Sequence, residues 1–186
     1  VVAITADNGG RWRVLPAPGE RLPGTFDQDV YVELLRRYQE ADQPADGALT
    51  FTLHAFLRSM GRRVDGRTYE QLRGALGRLE RTVLESEGAW RDARSGKAGH
   101  ARFTLLSAVA IDRRRLTDRD QLALFPSLAS NEPGDARVVL AAPMRSNIAA
   151  GDISSLVAAR YFALSSPVAR RLYRLLAAVR EREDAT

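Results

Sequence analysis

The apolar residues of the chain first show a helical period between positions 25 and 41. They recur there at every fourth residue, which places their side chains on one face of an α-helix. Asp27 and Asp29 lie in the predicted first turn, where the helix dipole favours negative charge. A polar loop at 42–47 is predicted to end this helix. Its apolar positions are Phe26, Val30, Leu34 and Tyr38.

Two shorter helices are predicted between residues 53 and 83. Thr52 is a suitable N-cap for the first, Leu53 to Met60, and Gly61 ends it. Two helices joined by so short a polar turn are typical of a helix-turn-helix, whose second helix enters the major groove of DNA.

The second of these helices is predicted to begin at Tyr69, because Thr68 and Gln71 have the three-residue spacing of a capping box. At about 100° per residue, its apolar and basic positions separate onto opposite faces. The apolar stripe is Tyr69, Leu72, Leu76, Leu79 and Val83. The opposite face is the predicted DNA-reading face, centred on Arg78. It collects Arg67, Gln71, Gly74, Arg78 and Arg81.

A β-hairpin is predicted directly after this helix. Two runs with apolar residues flank a small, polar and basic segment at 92–100. A hairpin in this position is the wing of a winged helix, and basic side chains at its tip suit contact with phosphates. The basic residues of the wing are Arg91, Arg94, Lys97 and Arg102.

Other parts of the chain give shorter elements. Val1 to Thr5 and Trp12 to Leu15 are β-prone runs around a turn cluster, which predicts a small hairpin or an ordered arm. Further strands are predicted at 49–51 and 137–141, and a short amphipathic helix at 116–128.

The last element has strong local signals. Ser166 as N-cap and Pro167 at the first helical position open a helix that runs to about Glu183. We expect its apolar stripe to be buried against the first domain or another chain, and its arginines to lie outside. The stripe is Val168, Leu172, Leu176 and Val179, and the arginines are Arg170, Arg171 and Arg174.

Charge is distributed unevenly along the 186 residues, whose net charge is +5. Seven arginines and three acids lie from 58 to 81, whereas six acids and two arginines lie from 27 to 46. A localised basic excess is the electrostatic pattern that binds a polyanion. The many arginines are equally explained by the base composition of the genome.

Catalytic and metal-binding patterns are missing from the sequence. There is no cysteine, which excludes disulfides, thiolate zinc sites and cysteine nucleophiles, and His54 and His100 are the only histidines. No phosphate loop, dinucleotide fingerprint or hydrolase motif occurs. We therefore expect a protein that binds no cofactor or metal and is not an enzyme. The sequence has no run of about 18 apolar residues and no signal peptide. It therefore predicts a cytoplasmic protein that has no membrane partner.

Three groups of residues carry a family resemblance through their order and spacing. They are the run PGTFDQDVY at 23–31, the series Gly61, Gly66, Tyr69, Leu72 and Leu76 to Leu79, and the run from Leu164 to Pro167 leading into Ala169 to Leu176. Together they resemble bacterial plasmid replication initiator proteins of the replication initiator protein A type. The resemblance covers most of the chain from about Trp12.

This resemblance implies two tandem winged-helix domains that bind repeated origin sequences in double-stranded DNA and start plasmid replication without nuclease activity. It implies an α+β fold with an N-terminal arm or hairpin at 1–24, a first winged helix at 25–160, and the leading helix of a truncated second winged helix at 161–186. It also implies a homodimer, association with the nucleoid or plasmid, and host replication proteins as further candidate partners.

The leading hypothesis from the sequence is therefore a DNA-binding initiator domain. Arginine pairs with guanine and glutamine with adenine in the major groove, at about 1–3 kcal/mol of discrimination each. A winged-helix transcriptional regulator and a dimerisation module with little DNA contact are the alternatives. The predicted DNA-binding residues are Arg67, Gln71, Arg73, Arg78 and Arg81 on the helix, and Arg91, Arg94, Lys97 and Arg102 on the wing.

Overall fold

The fold combines helices with two antiparallel sheets, which confirms the predicted α+β class. The computed structural model describes residues 1–6, 9–92, 96–111, 135–151 and 156–184. In chain order its elements are β1 (Val2–Thr5), β2 (Arg11–Leu15), α1 (Thr25–Glu40), β3 (Ala48–Thr52), α2 (Leu53–Ser59), α3 (Gly66–Arg81), β4 (Val83–Arg91), β5 (Ala98–Thr104), β6 (Leu106–Ile111), β7 (Asp135–Leu140), α4 (Ala142–Ala149), α5 (Ala158–Ala163) and α6 (Pro167–Asp184).

Helices α1, α2 and α3 pack together over one hydrophobic core. Helix α1 begins at Thr25, as the apolar period predicts, and its stripe faces inward. The core is closed from the other side by the sheet of β3, β7 and β6. Its fully buried side chains include Val30, Leu34, Leu53, Phe56, Leu57, Leu72, Leu76, Leu106, Val138 and Leu140.

The predicted cap of α2 is confirmed, because the Thr52 hydroxyl accepts a hydrogen bond from the Ala55 amide at 3.0 Å. The predicted start of α3 at Tyr69 is wrong by three residues. Asp65 is the N-cap and accepts from the Thr68 amide at 2.9 Å, while the Thr68 hydroxyl accepts from the Asp65 amide at 3.0 Å. The amide of Thr68 also holds the pKa of Asp65 below its ordinary value. Thr68 is thus the third helical residue of a reciprocal cap.

The predicted N-terminal hairpin and the predicted hairpin after α3 both form, and they join in one sheet of order β1-β2-β4-β5. Strand β2 pairs with β4 along its whole length, from Arg11 opposite Glu87 to Leu15 opposite Val83. The backbones touch at Gly10, where an added Cβ would lie 2.5 Å from the Ala89 nitrogen. The N-terminal hairpin therefore extends the hairpin that follows α3.

The second sheet has the order β3-β7-β6, with all pairs antiparallel. Its strands β3 and β7 fall where the sequence predicts strands, at 49–51 and 137–141. The predicted helix at 116–128 lies outside the described residues.

Helix α6 begins at Pro167 as predicted, but the side that it turns to the protein is not the predicted one. Its apolar residues Val168, Leu172 and Leu176 are between 54% and 76% exposed. Its inward side is polar instead, since Arg170 binds Asp29 of α1 and Arg174 donates to Gln28. The prediction that Arg170 and Arg174 lie outside is therefore wrong, because Asp29 and Gln28 of α1 bind these arginines. Val168, Leu172 and Leu176 are not buried against the rest of the chain, and their burial against another chain stays a prediction.

Candidate nucleic-acid interface

Helix α3 is most exposed to solvent in its N-terminal half. Arg67 and Gln71 are both exposed there and lie one helical turn apart, so their side chains project from the same face. This part of the predicted reading face is open to solvent.

Arg78, the centre of the predicted reading face, lies in a different environment. Its Nε and Nη2 atoms donate to Oδ1 of Asp27 at 3.0 and 2.6 Å, and its side chain is only 16% exposed. The guanidinium lies back over Gly74, where an added Cβ would be 3.1 Å from Nη1 of Arg78. Arg78 thus connects α3 to α1, and Gly74 leaves room for that connection.

Arg73 and Arg81 complete the predicted set on α3. Arg73 pairs with Glu70 of the same helix at 2.5 Å. Arg81 pairs at 2.6 Å with Glu20 of the connector before α1, and about half of its side chain is exposed. Both guanidiniums therefore have surface partners that a phosphate could replace at small cost, since exposed ion pairs are worth at most about 1 kcal/mol.

Helix α1 carries three buried carboxylates, Asp27, Asp29 and Glu33. Asp27 accepts a hydrogen bond from the Gly24 amide at 2.6 Å, as expected of an acid at a helix start, and another from Arg78. Asp29 receives Arg62 from the turn between α2 and α3 at 2.7 Å. These long-range partners have no signal in the local sequence, so their structural role was missed there.

Asp29 joins more elements than the other two acids. Besides the bond from Arg62, it accepts hydrogen bonds from Nη1 of Arg170 in α6 at 2.5 Å and from the Tyr161 hydroxyl in α5 at 2.7 Å. Burial and the hydrogen bond to Asp29 both raise the pKa of Tyr161. The Arg170 guanidinium also lies 5.5 Å from the centre of the Tyr161 ring, within cation–π range. One carboxylate therefore connects the turn between α2 and α3 to both C-terminal helices.

Glu33, one turn further along α1, is fully buried as well. Burial by itself would raise its pKa, but hydrogen bonds from Arg36, Ser59 and Arg37 outweigh burial and hold the pKa below its ordinary value. Glu33 thus stays charged and fixes the C-terminal end of α2 to α1.

The basic residues of the β4–β5 hairpin lie at its surface. Arg91 is exposed and donates from Nε to the Gly96 carbonyl at 3.2 Å, and Lys97 is exposed beside it. Arg102 is exposed on β5, with Nε 3.4 Å from Glu85 of β4. Arg94, the fourth predicted residue, lies outside the described part of the chain. The structure therefore places the three described residues on the hairpin, away from the buried acids of α1.

The sheet that contains this hairpin has two unlike faces. Trp12, Trp90 and Phe103 pack edge to face or tilted on one face, with ring centres 4.7 to 6.3 Å apart. Alternation along the strands puts Arg13, Glu85 and Arg102 on the other face. Because the sequence does not show that β2 pairs with β4, Arg11 and Arg13 were missed as neighbours of the hairpin.

Within the described residues, no group of three or more His, Asp or Glu side chains is placed to hold a metal ion. None of the described helices is both long and apolar enough to cross a membrane.

The fold defines a mixed α+β protein in which the two packed helices α2 and α3 are followed by a β-hairpin. The replication initiator protein A family model matches residues 6–186, so the chain belongs to that family. Curated protein sequences give no match.

Two crystal structures of domains 2 and 3 of RctB, one of them a selenomethionine derivative, resemble the chain in fold. They superpose with TM-scores of 0.56 and 0.54 at 13% and 14% identity, over 89% of this chain. The chain spans 58% and 56% of the length of those structures.

Proposed function

We propose that this chain is a winged-helix DNA-binding part of a replication initiator, which acts by binding repeated origin sequences rather than by catalysis. Helix α3 enters the major groove of double-stranded DNA, with Arg67 and Gln71 nearest to the bases. The β4–β5 hairpin is the wing, and Arg91, Lys97 and Arg102 bind phosphates.

The observation that carries this proposal is the open N-terminal half of α3. In a helix-turn-helix, the N-terminal residues of the second helix contact base edges. Arg67 and Gln71 occupy that position, one turn apart and exposed. Family membership supports the assignment to replication rather than to transcriptional control. Arg73, Arg78, Arg81 and Arg94 remain predicted DNA-binding residues, and Arg78 would have to leave Asp27 to reach a base.

The test is a titration of duplex DNA from the parent replicon's origin, against a scrambled duplex, at several salt concentrations. Arg67→Ala is expected to weaken binding to the origin duplex by about 1–3 kcal/mol and to relax specificity, because it removes a base contact. Lys97→Ala is expected to weaken both duplexes alike and to lower the salt slope by about one.

Arg137→Ala is the matched control, because Arg137 is exposed on β7 of the other sheet. Salt-independent binding by the wild type, or equal binding to both duplexes by wild type and Arg67→Ala, would contradict the proposal.

We further propose that α6 is the leading helix of a second winged-helix domain, and that the protein works as a homodimer. The exposed apolar stripe of α6 supports the first point, because Val168, Leu172, Leu175 and Leu176 together leave an apolar face open to water.

Replacing Leu172 and Leu176 by serine tests this arrangement. In the 186-residue chain the melting temperature is expected to fall only slightly, since both side chains are already more than half exposed. A longer product of the same gene is expected to lose stability. Sedimentation velocity of the 186-residue chain is the control: loss of a dimer on the same substitutions would assign the stripe to self-association instead.

A further inference from the structure

The charged face of the four-stranded sheet is built across three strands. The register places Arg13 of β2 opposite Glu85 of β4, and Glu85 opposite Arg102 of β5. Two residues away along each strand, Arg11, Glu87 and His100 form a second row. Residues opposite each other in neighbouring strands project to the same side of a sheet, and so do residues two positions apart on one strand. The two rows therefore share one surface.

Within the first row, Glu85 lies between two arginines. Its Oε2 is 3.2 Å from Nη1 of Arg13, and its Oε1 is 3.4 Å from Nε of Arg102. A single carboxylate cannot neutralise two guanidiniums, so the row keeps a positive charge. Both arginines are exposed, and such ion pairs are weak enough to exchange a carboxylate for a phosphate.

Arg91 of β4 adds to the same surface. Its neighbour Trp90 packs on Phe103 with ring centres 4.7 Å apart, so Trp90 belongs to the aromatic face. Since successive side chains of a strand alternate, Arg91 projects to the charged face. This face therefore carries four arginines against two glutamates: Arg11, Arg13, Arg91 and Arg102, with Glu85 and Glu87.

We infer that this charged face is a phosphate-binding surface for duplex DNA, in which the N-terminal hairpin widens the wing from two strands to four. This inference rests on the proposed function and adds Arg11 and Arg13 to its contacts. Arg13 and Arg102 are two strands apart, or about 10 Å, which matches the rise of roughly three base pairs. Arginines so arranged bind phosphates by charge-assisted, bidentate hydrogen bonds without reading sequence.

Two substitutions that break the same ion pair test the inference. Arg13→Gln removes a phosphate ligand and is expected to weaken binding to both origin and scrambled duplexes about threefold, with a salt slope lower by about one. Glu85→Gln frees Arg13 and Arg102 and is expected to tighten binding by a similar factor. A purely structural ion pair would instead move both variants in the same direction.

Arg137→Gln and Asp46→Asn are matched controls, because Arg137 on β7 of the other sheet and Asp46 in the loop before β3 form an exposed pair 3.7 Å apart and give the same charge changes. Both are expected to alter affinity less than twofold, and thermal melts of all four variants test whether they fold. If Arg13→Gln and Glu85→Gln change affinity no more than their controls, while the wild type binds DNA with a steep salt slope, this inference alone is overturned. A wild-type chain without salt-dependent binding would overturn the proposed function as well.

Discussion

Asp29 and Glu85 both lie between two arginines, yet they differ in what surrounds them. Asp29 is 4% exposed and binds Arg62 and Arg170 at 2.7 and 2.5 Å. Glu85 is 23% exposed, and its arginines are at 3.2 and 3.4 Å. The first cluster joins α1 to α6 and to the turn before α3, whereas the second spans three strands of a surface sheet.

The difference shows how to tell structural arginines from available ones in an arginine-rich chain. A buried carboxylate holds its arginine firmly, because neither charge can be left unpaired away from water. A partly exposed carboxylate holds its arginine weakly, because water and salt screen the pair. By this criterion Arg78, bound to the fully buried Asp27, belongs with Arg170, while Arg13 and Arg102 belong with Arg67 as candidate DNA contacts.

The largest expected effect separates the two carboxylates directly. Asp29→Ala is expected to lower the free energy of unfolding by about 3–5 kcal/mol, because two arginines then lose their partner in a largely buried site. Glu85→Ala is expected to lower it by at most about 1 kcal/mol. Urea denaturation of both variants measures the contrast, and equal losses would refute the distinction between the clusters.

The next largest effect concerns Arg78 and Arg67 on α3. Arg78→Ala is expected to destabilise the fold by about 3 kcal/mol, because it leaves the buried Asp27 with only the Gly24 amide and the more distant Arg21 guanidinium. Arg67→Ala is expected to stay within about 0.5 kcal/mol, as exposed substitutions usually do. The two variants are compared by thermal melts and by DNA titration at a temperature where both are folded. A stable Arg78→Ala protein with lost DNA specificity would return Arg78 to the reading face.

A pH effect extends the comparison to Glu33. Its pKa in the folded protein lies below the ordinary value of 4.5, so its charged form contributes stability above that pH. This contribution is lost as the pH falls through the folded pKa. Glu33→Gln is therefore expected to lower stability at neutral pH and to flatten the loss of stability as the pH falls below 4.5.

Glu40→Gln is the control for Glu33, since Glu40 also pairs with Arg36 but is exposed. Its acid profile is expected to follow that of the wild type. Identical urea midpoints for wild type and Glu33→Gln across this range would show that Glu33 carries no such role.

The smallest expected effect compares the two glycines of α3. Gly77→Ala is expected to stabilise by up to about 1 kcal/mol through helix propensity, because the nearby Arg81 guanidinium is half exposed and can move aside. Gly74→Ala is expected to be less stabilising than Gly77→Ala. The difference is about 0.5–1.5 kcal/mol, because Arg78 is held by Asp27 and must leave its preferred rotamer. A larger gain at Gly74 would mean that Arg78 is loosely held.

The sequence was sufficient where the signal is local. Thr52 and Pro167 start their helices as predicted, and the apolar period places α1 correctly. It failed where a stronger partner lies close by, as when Asp65 rather than Thr68 caps α3. It also failed where burial depends on distant charge, because nothing local shows that Asp29 draws the polar side of α6 inward.

The candidate site divides in the same way. Periodicity correctly puts Arg67 and Gln71 on an exposed face of α3. The same periodicity puts Arg78 there too, since an outward position on an isolated helix says nothing of the neighbouring helix that supplies Asp27. The addition of Arg11 and Arg13 needed the register of β2 on β4, which joins residues about 70 positions apart.

That long separation also has a consequence in time. Strand β2 leaves the ribosome about 70 residues before β4, which at 5–20 residues per second is a delay of roughly 4–14 s. Until β4 arrives, Trp12 lacks Trp90 and Phe103, and one edge of the N-terminal hairpin has no partner strand. The assembly of this sheet during synthesis therefore depends on how fast the intervening helices are translated.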